Sequence, residues 1–126
     1  MVNDSIDILD AKIVNFGIEF TIISESNNNK FDVLDLSLER LRRRFSRQFD
    51  IAEPFSYTEV YSLLNRIDGV ADVIDVKVHA KVGGQYSTLS FDFDSLMTAD
   101  GRLMVCPLNC IYEVKFPLID IIGNVK

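Results

Sequence analysis

The chain has a single histidine, two cysteines and no apolar run approaching the ~20 residues of a membrane-spanning helix. Each scarcity excludes a class of function. A structural zinc site needs four ligands, more than the C-x-x-x-C pair Cys106 and Cys110 can assemble with the distant His79. With no signal peptide, the two thiols read as reduced, buried and cytosolic, behaving as small apolar side chains. Basic charge is short as well. Thirteen lysines and arginines against 19 acids leave a formal net charge of −6, which argues against a nucleic-acid binder working through a general basic field. No glycine loop of the phosphate-cradling kind is present, because Gly83-Gly84 stands alone and is followed by a strand pattern. There is no internal repeat and no low-complexity tract.

What remains is a chain of 126 residues with 48% hydrophobic content, the size and composition of one folded domain. Val14, Phe16, Ile18, Phe20 and Ile22 alternate with polar or small residues, a strand with one buried face. Ser24 to Lys30 is a polar loop. Phe31 to about Phe49 reads as a helix whose stripe is Leu34, Leu38, Leu41, Phe45 and Phe49, with Asp32 and Asp35 near its positive start and arginines toward its negative end.

The next segment is locally complete. Ser56 and Glu59 have the form of a capping box, and Phe55 and Val60 have the spacing of a hydrophobic staple. Val60, Leu63, Leu64 and Ile67 repeat at helical spacing, and Gly69 stands where a left-handed stop is wanted. Ile74, Val76, Val78, Ala80 and Val82 then predict a strand face, with Gly83-Gly84 as a hairpin signal. Leu89, Phe91 and Phe93 alternate with Asp92 and Asp94 as a further strand. Asp100-Gly101 marks a turn, Leu103 to Val105 is a short strand at most, and Tyr112, Val114 and Phe116 form the last alternating run. The expected fold is α+β, with two helices packed on one face of a mainly antiparallel sheet. A polar tail over 1–9 precedes the domain of 10–118, and an aliphatic tail follows over 119–126.

No catalytic, cofactor-binding or metal site is expected, and the chain does not read as an enzyme. His79 lies on a polar strand face between Lys77 and Lys81, which oppose its protonation, and lacks a nucleophile or base motif around it. Asp92, Asp94 and Asp100 do not form a calcium loop and read as outward aspartates. The strongest charge feature is Arg40-Leu41-Arg42-Arg43-Arg44-Phe45-Ser46-Arg47. It suits either a solvated, dipole-favoured helix face or contact with an acidic protein partner. Candidate interface residues are therefore Arg42, Arg43, Arg44 and Arg47, with Tyr57 and Tyr61 as aromatic anchors. The aliphatic closing segment either docks on its own domain or adds to a sheet edge of a neighbour.

Several runs resemble the carboxy-terminal region of baseplate J-like proteins, the wedge subunits of contractile phage tails and related injection machines. They are Asp10 to Val14, Ile18-Glu19-Phe20, Leu41-Arg42-Arg43-Arg44-Phe45, and the unit from Glu53-Pro54-Phe55 to Gly69-Val70. The end, Tyr112 to Gly123, is similar to that of the T4-like member of the family. The resemblance spans most of the chain from Asp10 onward. It implies a structural role in the virion baseplate, synthesis in the host cytoplasm, and association into homodimers or higher homo-oligomers and with other baseplate wedge proteins. It carries over no catalytic residue, and no cofactor, nucleic acid or membrane is expected. It also implies that the chain is an excerpt of a longer subunit. The alternative from another class is a small-molecule-binding regulatory α+β domain, which requires a concave apolar pocket with convergent polar groups.

Overall fold

The computed structural model describes residues 11–25 and 29–126. The polar tail over 1–9 and the middle of the Ser24–Lys30 loop lie outside them. The fold is α+β, built around one long strand, β1 (Lys12–Ser24). Its alternating residues Val14, Phe16, Ile18, Phe20 and Ile22 are all fully buried. β3 (Val70–Ala80) pairs antiparallel with it, from Phe16↔Ala80 to Ser24↔Val70. On the other side lie two parallel partners, β5 (Cys110–Glu113) along Lys12–Asn15 and β6 (Ile121–Val125) along Ile18–Ile22. A two-stranded ribbon pairs β2 (Phe55–Ser56) with β4 (Leu103–Met104).

Helix α1 (Lys30–Arg44) starts at Asn29, whose Oδ1 accepts the Phe31 and Asp32 N–H groups at 3.0 and 3.4 Å. It ends earlier than Phe49, with the Ser46 hydroxyl bonded to the Arg43 carbonyl at 2.9 Å. The chain then turns, yet Phe45 and Phe49 still bury their rings. Along the helix the inward positions are Val33, Ser37 and Leu41, while Leu34 and Leu38 are half-buried. The stripe is thus rotated from the leucine pattern, and Ser37 is tolerated inside because its hydroxyl bonds the Val33 carbonyl at 2.8 Å.

Helix α2 (Tyr57–Asn65) begins at Ser56, whose Oγ accepts the Glu59 N–H at 3.0 Å. Only this half of the capping box forms, because the Glu59 carboxylate turns to Arg44 instead. Phe55 and Val60 are both fully buried, and Gly69 has φ 94° at the turn into β3. Both helices pack on the Phe16–Phe20 face of the sheet. There Phe16 meets Phe49, Phe55 and Tyr112 edge-on at 5.9, 5.2 and 5.7 Å. Burying each such ring stabilises the fold by about 1.5–3 kcal/mol.

The later strands depart from the sequence pattern. In β3 the register slips between Thr21 and Ile22 and again between Ile23 and Ser24, leaving Ile74 and Ala71 as bulge residues. Val70, Val73 and Val76 therefore face the core, while Ile74, Ala80 and Val82 are exposed. Gly83-Gly84 makes a turn, closed by the Tyr86 N–H on the Gly83 carbonyl at 2.9 Å, but no hairpin strand follows. The Leu89–Phe93 alternation forms no strand either. Asp92 instead caps a short helix, α3 (Phe93–Leu96), accepting the Asp94 N–H at 3.2 Å.

After β5, a one-turn helix α4 (Pro117–Asp120) leads directly into β6. Of the segment 119–126, Ile121–Val125 thus docks on its own domain as a strand of the sheet, and Ile121 is fully buried.

Candidate interaction surfaces

The arginine run divides as α1 turns. Arg42 points back along the fold, with Nε donating to the Pro117 carbonyl at 3.1 Å and Nη2 to the Leu118 and Ile121 carbonyls at 3.2 Å each. It holds α4 and the start of β6, and is engaged within the chain. Arg47 likewise bonds Glu53 and the Gln48 carbonyl. Burial raises the Glu53 carboxyl, but the Asp50 N–H and the Arg47 guanidinium outweigh it and leave that group below its ordinary value. Tyr57 is buried, packed edge-on against Phe55 at 5.1 Å, so it serves the core rather than an exposed contact. Burial first, then the Asp94 charge, raises its phenol. Tyr61 is half-buried against the core.

The remaining arginines converge. Arg40, Arg43 and Arg44 from the end of α1 and Arg66 from the end of α2 line one open groove of about 700 Å³, together with Ser56, Thr58, Glu59, Ser62 and Leu63. Arg44 is fixed: Nε and Nη2 fork onto the two Glu59 oxygens, the second at 3.0 Å, and its guanidinium lies 5.1 Å from the Phe45 ring centre. Its Nη1 is buried with no acceptor among the described residues. Arg43 has an exposed partner, Glu39 at 2.6 Å. Arg40 and Arg66 form no ion pair among the described residues. Arg40 belongs to the run seen in the sequence but not to the candidate contacts drawn from it, and Arg66 is not anticipated, because it comes from a separate helix and carries no local signal of its neighbours.

A second surface lies at β6. This edge strand has β1 on one side and, among the described residues, no strand on the other. Ile121–Val125 carries no charge, and Leu118, Ile119 and Ile122 are 77%, 67% and 48% exposed beside it. The segment is nevertheless firmly placed. Besides Arg42, the buried Asp120 accepts the Tyr86 hydroxyl at 2.8 Å, with Lys81 Nζ at 4.0 Å.

Residues considered for chemistry occupy ordinary positions. His79 does have a carboxylate neighbour, Glu19 at 2.8 Å, but both lie on the open outer face of the sheet. The His79 bond first, then that from Asn124, holds the Glu19 carboxyl below its ordinary value. Asp92 caps α3, and Asp100 accepts the Thr98 hydroxyl and the Arg102 N–H in its own turn. Cys106 and Cys110 are free and buried, and burial pushes the Cys106 thiol up to about 11. Among the described residues no group of three or more His, Cys, Asp or Glu is placed to hold a metal, and no helix is long and apolar enough to cross a membrane.

An open cleft of about 680 Å³ lies beside β1, lined by Asn15, Ser87, Glu113 and neighbours. Asn15 accepts the Ser87 N–H and donates to Glu113, both at 2.7 Å, so its polar atoms hold the fold together rather than converge on a ligand. The chain matches no protein-family model and no curated protein.

Proposed function

We propose that the chain is a structural assembly domain of a contractile-tail baseplate wedge in the virion, associating with a copy of itself and with other wedge subunits. The observation that carries this reading is the uncharged β6 edge beside exposed Leu118, Ile119 and Ile122. Open edges are a template for strand pairing, and soluble proteins ordinarily block them with charge, bulges or a covering element. Two copies related by a two-fold axis can place their β6 strands antiparallel, and no like charges oppose each other within Ile121–Val125. The resemblance to baseplate J-like proteins, in the Phe55–Val70 unit and the closing segment, supports the same role. In this reading the domain is framework without catalysis or cofactor.

Sedimentation of the wild-type chain and an Ile122→Lys variant at micromolar concentration tests it. The wild type is expected to sediment as a dimer and the variant as a folded monomer, because Ile122 is exposed within one chain and its replacement removes no core contact. A wild type that stays monomeric removes the self-association, and a dimer indifferent to the lysine moves it away from β6.

A further inference from the structure

We infer that the groove between α1 and α2 receives an acidic polypeptide segment from a partner subunit, its carboxylates meeting Arg40, Arg43 and Arg66. This deepens the assembly reading by giving the chemistry of one partner, and uses a surface separate from β6. Four arginines face a single glutamate in this groove, in a chain whose net charge is −6. The helix dipole favours basic residues in the last turn of α1, but it does not require side chains from two helices to share one concavity.

The groove already shows the binding mode. Glu59 takes the fork of Arg44, the bidentate geometry in which arginine recognises a carboxylate. That contact also fixes the Arg44 side chain, so part of the site is ordered before a partner arrives. Arg40 and Arg66 line the same groove with no ion pair among the described residues, and Leu63, Thr58 and Ser62 add apolar and hydroxyl surface to it. A short run of two or three acids fits this charge. A nucleic-acid strand extends past the groove over a chain whose net charge is −6, which opposes it.

The test is fluorescence anisotropy of a labelled hexaglutamate peptide with the wild-type chain and an R40S/R66S variant at low salt. Binding is expected, weakening as salt rises, and the double variant should lose about tenfold or more in affinity. Its melting temperature should hold, because neither arginine forms an ion pair among the described residues. A single Arg43→Ser variant provides a second check and should lose less, since Glu39 already competes for that guanidinium. The proposal is overturned by absence of peptide binding, by unchanged affinity in R40S/R66S, by tighter binding of a single-stranded oligonucleotide of equal charge, or by displacement of the peptide by inorganic phosphate at equimolar concentration. Sedimentation separates this outcome from the β6 reading. Lost peptide binding with self-association intact overturns the groove alone, and a monomer that binds the peptide overturns the β6 contact alone.

Discussion

Strand β3, at one edge of the sheet, runs for 11 residues, bulges at Ile74 and Ala71, and carries Asp72, Asp75, Lys77 and His79. Strand β6, at the other edge, is five residues long and has no charge. Bulges interrupt the outward row of backbone donors and acceptors, and charges penalise a second strand laid against it. One edge is thus closed by its own sequence, while the other pairs with no further strand among the described residues and meets a charge where Arg42 bonds the Ile121 carbonyl. The open edge is also the one tied to the rest of the molecule by Arg42 and Asp120. In the proposed reading, this anchoring keeps β6 ordered as a surface for a partner strand.

The largest test of this contrast is Gly123→Ala. An added Cβ would meet the Phe20 ring at 2.3 Å, and Phe20 is fully buried. In an ordinary strand the change from glycine to alanine helps by reducing the freedom of the unfolded chain. Here the clash reverses the sign, with an expected loss of about 2–3 kcal/mol in chemical denaturation. If β6 and β3 are as different as described, amide exchange should rise at Ile122–Val125 before it rises in β3. A stabilised variant would mean that β6 is not seated on Phe20.

Next in size is Arg42→Met, which keeps the side-chain stem and removes the bonds to three carbonyls. Water replaces part of what is lost at these partly exposed groups, so the expected cost is about 1–2 kcal/mol. Exchange should again be faster in β6 and unchanged at Val73 and Val76. Self-association should weaken with it, because an edge must be ordered before it can template a neighbour. Unchanged β6 protection would show that Asp120 and the pairing with β1 suffice to hold the strand.

How much of this is legible from sequence depends on whether the cause is local. The Val14–Ile22 alternation reads directly because one face of β1 meets a continuous core. Helix α2 reads directly because Ser56, Phe55 and Gly69 lie within its own neighbourhood. The α+β class follows from those units. The phase of β3 does not, because its bulges are set by pairing with β1, and so Ile74 exchanges places with Val73. The Leu89–Phe93 alternation has strand form, but Asp92 uses its carboxylate to cap α3. At the candidate site the arginine run is visible while its sorting is not. Arg42 finds its acceptors around Pro117–Ile121, and Arg66 joins Arg40 and Arg43 only through the packing of two helices. Tyr57 reads as an amphipathic anchor and is instead covered beside Phe55.

The smallest effect lies where the two edges meet. On the outer face Glu19 of the middle strand bonds His79 of β3 at 2.8 Å and Asn124 of β6 at 3.3 Å. These bonds, His79 first, lower the Glu19 carboxyl below its ordinary value of 4.5. A carboxyl lowered by folding contributes stability that is present above the unfolded value and lost as pH falls through the folded one. The native fold should therefore lose a small increment of stability as pH drops below 4.5. In a Glu19→Gln variant that increment should be absent from the acid limb while the remaining carboxylates still titrate. Because this group is exposed, salt should shrink the difference as well. An acid limb identical in the two proteins would mean that Glu19 joins the two edges geometrically without coupling them energetically.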